Sequence, residues 1–324
     1  MSFRRFVLRR AISTVLIYVV IATIVFFLFR QVGDPRALFM NPSMTPEQFA
    51  QIEEQFGLND PLYVQYYKYL INLFTFEFGL SFYYREAAGP LLIERLQNSL
   101  LLTVPAIVLS YVFGTLGGVL LAWKRGESIE RAGLVMALTF RSAPRFWVGL
   151  LLLFFLAGVY QLFPAGGMLD PGSTFESHYA LLTNPDFFHH AILPVVSMSL
   201  YLMGLPMMLM RTSMLEVIGE DFVDICRAKG MRERDVMYKH VARNAILPVV
   251  TAFAVAIAFS FGGNVLVETV FSYPGVGRLM VNSVFRGDFP VAQFAFLLMA
   301  GMVLIMNFVA DILYGYLDPR VTYD

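Results

Sequence analysis

The sequence predicts an all-α polytopic membrane protein with six transmembrane helices and a helical insertion after the first of them. Three observations carry that expectation. Hydrophobic residues make up 57% of the 324 residues and charged residues 15%, against roughly 25% charge in an average soluble domain. Six apolar stretches reach the length of about 20 residues needed to span a hydrocarbon core of roughly 30 Å. Between the fourth and the fifth lies the longest charged interval, Arg211–Pro248, which carries seven basic residues and is too polar to cross a bilayer.

The chain opens with Arg4, Arg5, Arg9 and Arg10 ahead of the apolar run Ala11–Phe29. A signal peptide would show an apolar core of about 7–15 residues and then a small-residue cleavage site. The longer run here reads as a retained first span. Residues 31–93 form a polar-aromatic insertion. Thr45-Pro46 with Gln48 has the pattern of a capping box with Pro at the first helical position, and Gly57 would end that helix. Asn59-Asp60-Pro61 starts another, carrying Tyr63, Tyr66, Tyr67 and Tyr69 through to Phe78. Two such helices would lie at the outer interface with their rings at headgroup depth, as a lid packed on the spans or in contact with substrate.

Span 2, about Ser99–Trp123, holds Gly114, Gly117 and Gly118, which permit close helix approach. Span 3, about Leu134–Val159, carries Arg141 and Arg145, four residues apart and so on one helical face. Spans 4, 5 and 6 follow at about Ile192–Met210, Ala245–Phe271 and Val291–Leu313. The expected division is residues 1–93 for the first span with its insertion and 94–324 for a five-helix core, with a charged loop over 211–245.

Six spans put both termini on one side. That side carries 17 Lys and Arg against seven on the other, so the positive-inside rule makes both termini, and the loop Arg211–Pro248, cytoplasmic. A net charge of zero offers no case for nucleic-acid binding. The single cysteine, Cys226, excludes an intramolecular disulfide.

Within the charged loop, Phe222, Ile225 and Cys226 stand at i, i+3, i+4 and share a helical face. That face would form an apolar ridge for a partner's groove, with Arg227 and Lys229 at its rim, and Gly230 would let the chain reverse. By spacing alone a solvated connector between spans 4 and 5 is the other reading. Asp224, Ile225 and Cys226 precede Gly230 by six, five and four residues, and Leu247-Pro248 closes the segment. The pattern resembles the EAA loop of ABC-importer permeases, with Asp for Glu, Ile and Cys for the two Ala, and a longer spacer after Gly.

Arg-Ala-Lys-Gly at 227–230 and Arg-Asn-Ala-Ile-Leu-Pro at 243–248 resemble the peptide/nickel branch. FVLRRAISTVLIYVV near the N-terminus, Leu58-Asn59-Asp60-Pro61, Phe78-Gly79-Leu80-Ser81, the run Glu268–Gly277 and Leu317-Asp318-Pro319-Arg320 are similar to the B-type subunit of oligopeptide and dipeptide permeases. The resemblance implies the type I ABC-importer permease fold and half of a translocation pathway for peptides, with nickel or another small solute as the alternative cargo. It implies coupling through Glu216, Phe222, Asp224, Ile225, Cys226, Arg227, Ala228, Lys229 and Gly230 to two cytoplasmic ATPase subunits. A homologous second permease and an extracytoplasmic substrate-binding protein complete the implied partners. No GxxxxGK[ST] stretch occurs in this chain, so ATP and Mg would sit on the ATPase subunits and this chain would bind no cofactor.

Four polar sites in the spans remain. Asn264 and Glu268, a turn apart, are pathway or gate candidates, or else a buried hydrogen bond that holds the Ser272–Gly277 turn. Arg141 and Arg145 are anchors snorkelling to the inner face, or ligands of substrate. Asp311 and Asn307 in span 6 are offered as partners for one of those arginines. His189 and His190 open span 4 with only His178 nearby, so no metal site is expected. Neither HExxH nor GxSxG occurs, which removes the usual signatures of an intramembrane protease or hydrolase. No paired broken-helix repeat of an ion-driven secondary transporter is visible either.

Overall fold

The computed structural model describes residues 3–32, 59–175, 177–260 and 264–317. Among them the backbone is helical, and the one extended pairing is an isolated bridge between Leu80 and Ala87. Thr45, Pro46, Gln48, Gly57 and the tail Asp318–Arg320 lie outside the described residues. The chain divides into two units, one of residues 1–97 with 275–324 and one of residues 98–274. This differs from a cut at 93/94, because the last span returns to the first.

In the first unit, helix α1 (Phe3–Val32) packs along the final helix, Phe289–Leu317. A Cβ on Gly301 would lie 3.1 Å from the Tyr18 ring, so that ring rests against the bare backbone of the final helix. Arg10 pairs with Asp311 at the far end of the same contact. Asp311, offered from sequence as a partner for Arg141 or Arg145, is thus engaged by Arg10 within its own unit. Helix α2 (Leu62–Thr75) begins directly after Pro61 and ends where Phe76 turns left-handed at φ 60°. Its Tyr69 hydroxyl donates to the Ala22 carbonyl at 3.1 Å, and Tyr66 and Thr23 share a hydrogen bond of 2.6 Å. Ala22 lies eight residues, roughly 12 Å, along α1 from Arg30. The insertion thus packs against the flank of the span, with Tyr63 and Tyr67 left exposed. Burial pushes the Tyr69 hydroxyl well above the usual phenol range. Asp288, buried, anchors the loop before α3 (Ala88–Trp123) by accepting from Ser81 Oγ and from the Phe82 N–H at 3.1 Å.

The second unit takes up the rest of α3, then α4 (Ser128–Ser142) and α5 (Arg145–Leu152), which widens into i→i+5 turns over Leu153–Val159. The short α6 (His178–Leu181) and the long α7 (Pro185–Ile218) follow. Next come α8 (Asp221–Ala228), α9 (Glu233–Ala245), α10 (Leu247–Phe259) and α11 (Val265–Val270). The first unit closes the chain with α12 (Val276–Phe285) and α13 (Phe289–Leu317). Close approach of α3 and α7 rests on the glycines singled out from sequence. Cβ atoms built at Gly114 and Gly118 would stand 2.7 and 2.5 Å from the carbonyl oxygens of Met203 and Met207.

Among the described residues four helices are long and apolar enough to cross a membrane, and two bent pairs, each taken as one span, raise the number to six. The expected third span is one of the bent pairs, with α4 and α5 inclined at 105°. Pro144 explains the break, since it lacks an N–H and drives Ala143 to an extended ψ of 144°. The expected fifth span, Ala245–Phe271, is also divided. Its first part, α10, meets α9 at 56° beside Pro248, and α11 restarts from Asn264, whose Oδ1 accepts from the Val267 N–H.

Candidate functional site

The stretch Arg211–Pro248 folds as an ordered element braced from inside. Helix α7 ends at Ile218 and Gly219 breaks it, after which α8 lies across a cluster formed by Met210, Met214, Val236, Val241 and Ala245. Val223 enters that cluster fully buried, with Phe222 and Cys226 partly buried beside it. Of the expected ridge Phe222, Ile225 and Cys226, the first and the last thus pack partly against the chain's own core. Ile225 is 54% exposed and shares the outward face with Asp221, Asp224 and Ala228, all exposed, at i, i+3, i+4, i+7 spacing.

Arg227 is exposed but engaged by its own chain. It reaches Glu233 and Asp224 at 3.3 Å each and lies over the Trp123 ring. Of the two expected rim cations only Lys229 has no ion pair among the described residues. Glu216 is exposed at the end of α7. Gly230 takes φ 72°, the Gly230 N–H bonds to Arg227 O at 2.9 Å, and the Met231 N–H bonds to Cys226 O at 3.4 Å. Those two bonds are the 5→2 and 6→1 closures of a Schellman turn, so the helix end is set by backbone geometry that glycine accepts without strain.

A second brace, which the sequence reading passed over, ties α7 to α4. Arg211 Nε donates to Glu130 Oε1 at 2.9 Å, Nη2 reaches the same oxygen, and the Gly126 N–H donates to Oε2 at 2.6 Å. Glu130 is the third residue of α4, where a carboxylate reaching back to a free N–H is a familiar capping pattern. That position was the available signal. Its side chain is 8% exposed. Replacing it with alanine would leave the Arg211 guanidinium without this carboxylate and loosen the tie between α4 and α7. Thermal unfolding in detergent should then shift down by roughly 5 °C or more; an unchanged transition would show the pair to be ornamental.

The arginines of the broken third span stand against the middle of α7. The Arg145 guanidinium lies 4.3 Å from the Tyr201 ring centroid and Nη2 donates to the Tyr201 hydroxyl at 3.1 Å. The Arg141 stem lies against Gly204, one turn along, where an added Cβ would be 3.3 Å from Arg141 Cβ. The two cations are thus grouped against the middle of α7.

Asn264 and Glu268 are drawn into a buried polar knot. Glu268, fully buried, accepts from Ser99 Oγ at 2.7 Å and from the Asn264 N–H at 3.3 Å. Tyr273 donates to Asn98 O at 3.1 Å, and Asn98 Nδ2 to Pro274 O at 2.9 Å. These bonds tie down Tyr273 and Pro274 at the start of the turn that follows α11. His178 is tied to Asn98 at 2.9 Å. His190 instead meets Asp170 and Asp186, whose donor atoms and its own lie within 4.8 Å of one another. That grouping went unseen from sequence, because Asp170 comes from a loop. Asp186 is already engaged, accepting from the Asp170 N–H at 2.9 Å and lying 3.0 Å from His190 Nδ1.

Residues 114–323 match the family described as "Binding-protein-dependent transport system inner membrane component", and residues 3–103 match its N-terminal companion. The chain belongs to this permease family. It is 34% identical over 98% of its length to the oligopeptide transport system permease protein AppB of Bacillus subtilis, of which it covers 99%. It is 34% identical to the di/tripeptide transport system permease protein DppB of Pseudomonas aeruginosa, with 90% of each chain covered. Against the dipeptide transport system permease protein DppB of Escherichia coli the figure is 31%, over 98% and 99%.

Among solved structures, an inward-facing form of the MetNI methionine ABC transporter matches with a TM-score of 0.53 and 17% identity. The match covers 70% of this chain and 96% of that one, a likeness to the type I importer permease fold. The broken spans and the ordered helix α8 are thus features of a transport permease of the inner membrane.

Proposed function

We propose that this permease forms half of the translocation pathway of an ATP-driven importer that carries di- and oligopeptides across the cytoplasmic membrane. The names of its relatives, which it matches almost end to end, support the cargo. The observation that carries the coupling role is α8, a short helix held rigidly to its own core with one face turned outward. In this reading both termini and α8 are cytoplasmic, and the outward face Asp221–Asp224–Ile225–Ala228 rests on an ATPase subunit. A homologous second permease supplies the other half of the pathway, and an extracytoplasmic binding protein delivers the peptide. ATP and Mg belong to two ATPase subunits, and this chain binds no cofactor of its own.

Movement of the ATPases would be passed to α7 and α9 through α8, switching the packed helices between two arrangements as rigid elements do. The Schellman turn at Gly230 is the test. Nothing lies within 4 Å of a Cβ placed there, so the obstacle to another residue is the φ of 72° itself, worth about 1–2 kcal/mol. Gly230→Val should insert normally yet import labelled peptide at least about fivefold more slowly. Full uptake by that variant would remove the coupling role.

A further inference from the structure

We propose that Arg145, held by Tyr201 and accompanied by Arg141, is a binding site for a carboxylate of the peptide substrate halfway along the pathway. The proposal rests on the peptide-import reading and adds to it a ligand group and the residues that take it.

Depth is the first observation. Tyr201 stands nine residues from Ile192 and nine from Met210, the ends of the apolar part of α7, hence roughly 14 Å from each. It therefore sits near the centre of a hydrocarbon layer of about 30 Å, whichever way the protein is oriented. A guanidinium stays charged at every accessible pH, and a charge at that depth is tolerated where it faces the bundle interior or a water-filled cavity.

The second observation is what the arginines lack. Neither Arg141 nor Arg145 is paired with a carboxylate among the described residues, whereas Arg10, Arg211 and Arg227 all are. Both are exposed. The Tyr201 ring and hydroxyl fix Arg145 through one face and one N–H, which leaves the rest of its planar donor fork to be presented. That fork matches a carboxylate through two parallel hydrogen bonds. The like charges of Arg141 and Arg145, both set against α7, would also repel a divalent cation, so the same feature disfavours nickel as cargo.

The test uses the complete importer, with its binding protein and ATPases, in proteoliposomes. Three labelled peptides are compared: a tripeptide with a free C-terminus, its C-terminal amide, and that amide carrying one Asp side chain. Each uptake rate is normalised to the peptide's occupancy of the binding protein. Arg145→Gln should lower uptake of the free acid about tenfold while the plain amide stays within about twofold of its wild-type rate. Arg145→Lys, which keeps the charge and loses the fork, should recover part of the loss. A parallel fall for the Asp-bearing amide assigns the site to any peptide carboxylate, and no fall assigns it to the C-terminus. An equal loss for all three peptides, no loss for any, or failure of the variant to copurify with the second permease would each overturn the proposal. If the wild-type importer accumulates none of the peptides on ATP, it is the import reading that fails; ATP-driven uptake that ignores peptide charge in every variant sinks the site alone.

Discussion

Gly118→Leu is expected to abolish recovery of the folded permease. A Cβ at this position would lie 2.5 Å from Met207 O and 2.7 Å from Met210 Cβ, distances that backbone and a first side-chain carbon cannot relieve by a rotamer change. Gly114 repeats the problem four residues earlier against Met203 O at 2.7 Å, so α3 and α7 meet along a small-residue seam in the manner of GxxxG pairs. Overpacking a fitted core costs about 1–3 kcal/mol even for modest additions, and leucine adds four carbons where none fits. The measurement is the fraction of membrane-inserted protein extracted as a monodisperse species. Gly117→Ala is the control, because its Cβ would meet the flexible Met207 Cε, and it should be recovered near the wild-type level. Equal recovery of Gly118→Leu would show that the two helices do not touch as described.

The second large effect concerns the face of α8. Ile225→Asp should insert and fold, since Ile225 is 54% exposed, yet lose its ATPase subunits on affinity purification by at least about tenfold, as loss of a central apolar anchor does. Val223→Asp should behave differently. Val223 is fully buried, and an unpaired carboxylate there would be costly enough to prevent folding. Retention of the ATPases by Ile225→Asp would place the docking face elsewhere on the chain.

That pair of substitutions also shows where sequence reading ran short. Phe222, Val223, Ile225 and Cys226 are all apolar, and neighbouring positions on a helix differ by about 100°, so two different ridges can be drawn through the same eight residues. The cluster around Met210 and Val236 chooses between them, and those residues lie before and after α8 in the chain. The intrachain partners of Arg227 were hidden for the same reason, Glu233 and Trp123 being brought to it by folding. Pro144 was legible as a helix breaker, and the break it causes was missed because the surrounding residues continue the apolar run.

By itself the sequence determined the membrane class, the long first, second, fourth and sixth spans, and the turn at Gly230. Each of these follows from hydropathy over about 20 neighbouring residues or from the backbone freedom of a single glycine, which are local properties. Only the tertiary structure decided that Glu268 is braced by Ser99, that Glu130 holds Arg211, and that Arg145 rests on Tyr201. Those pairs are separated by 169, 81 and 56 residues. A charge or hydroxyl in a span announces that it needs a partner, and packing alone says which one it has.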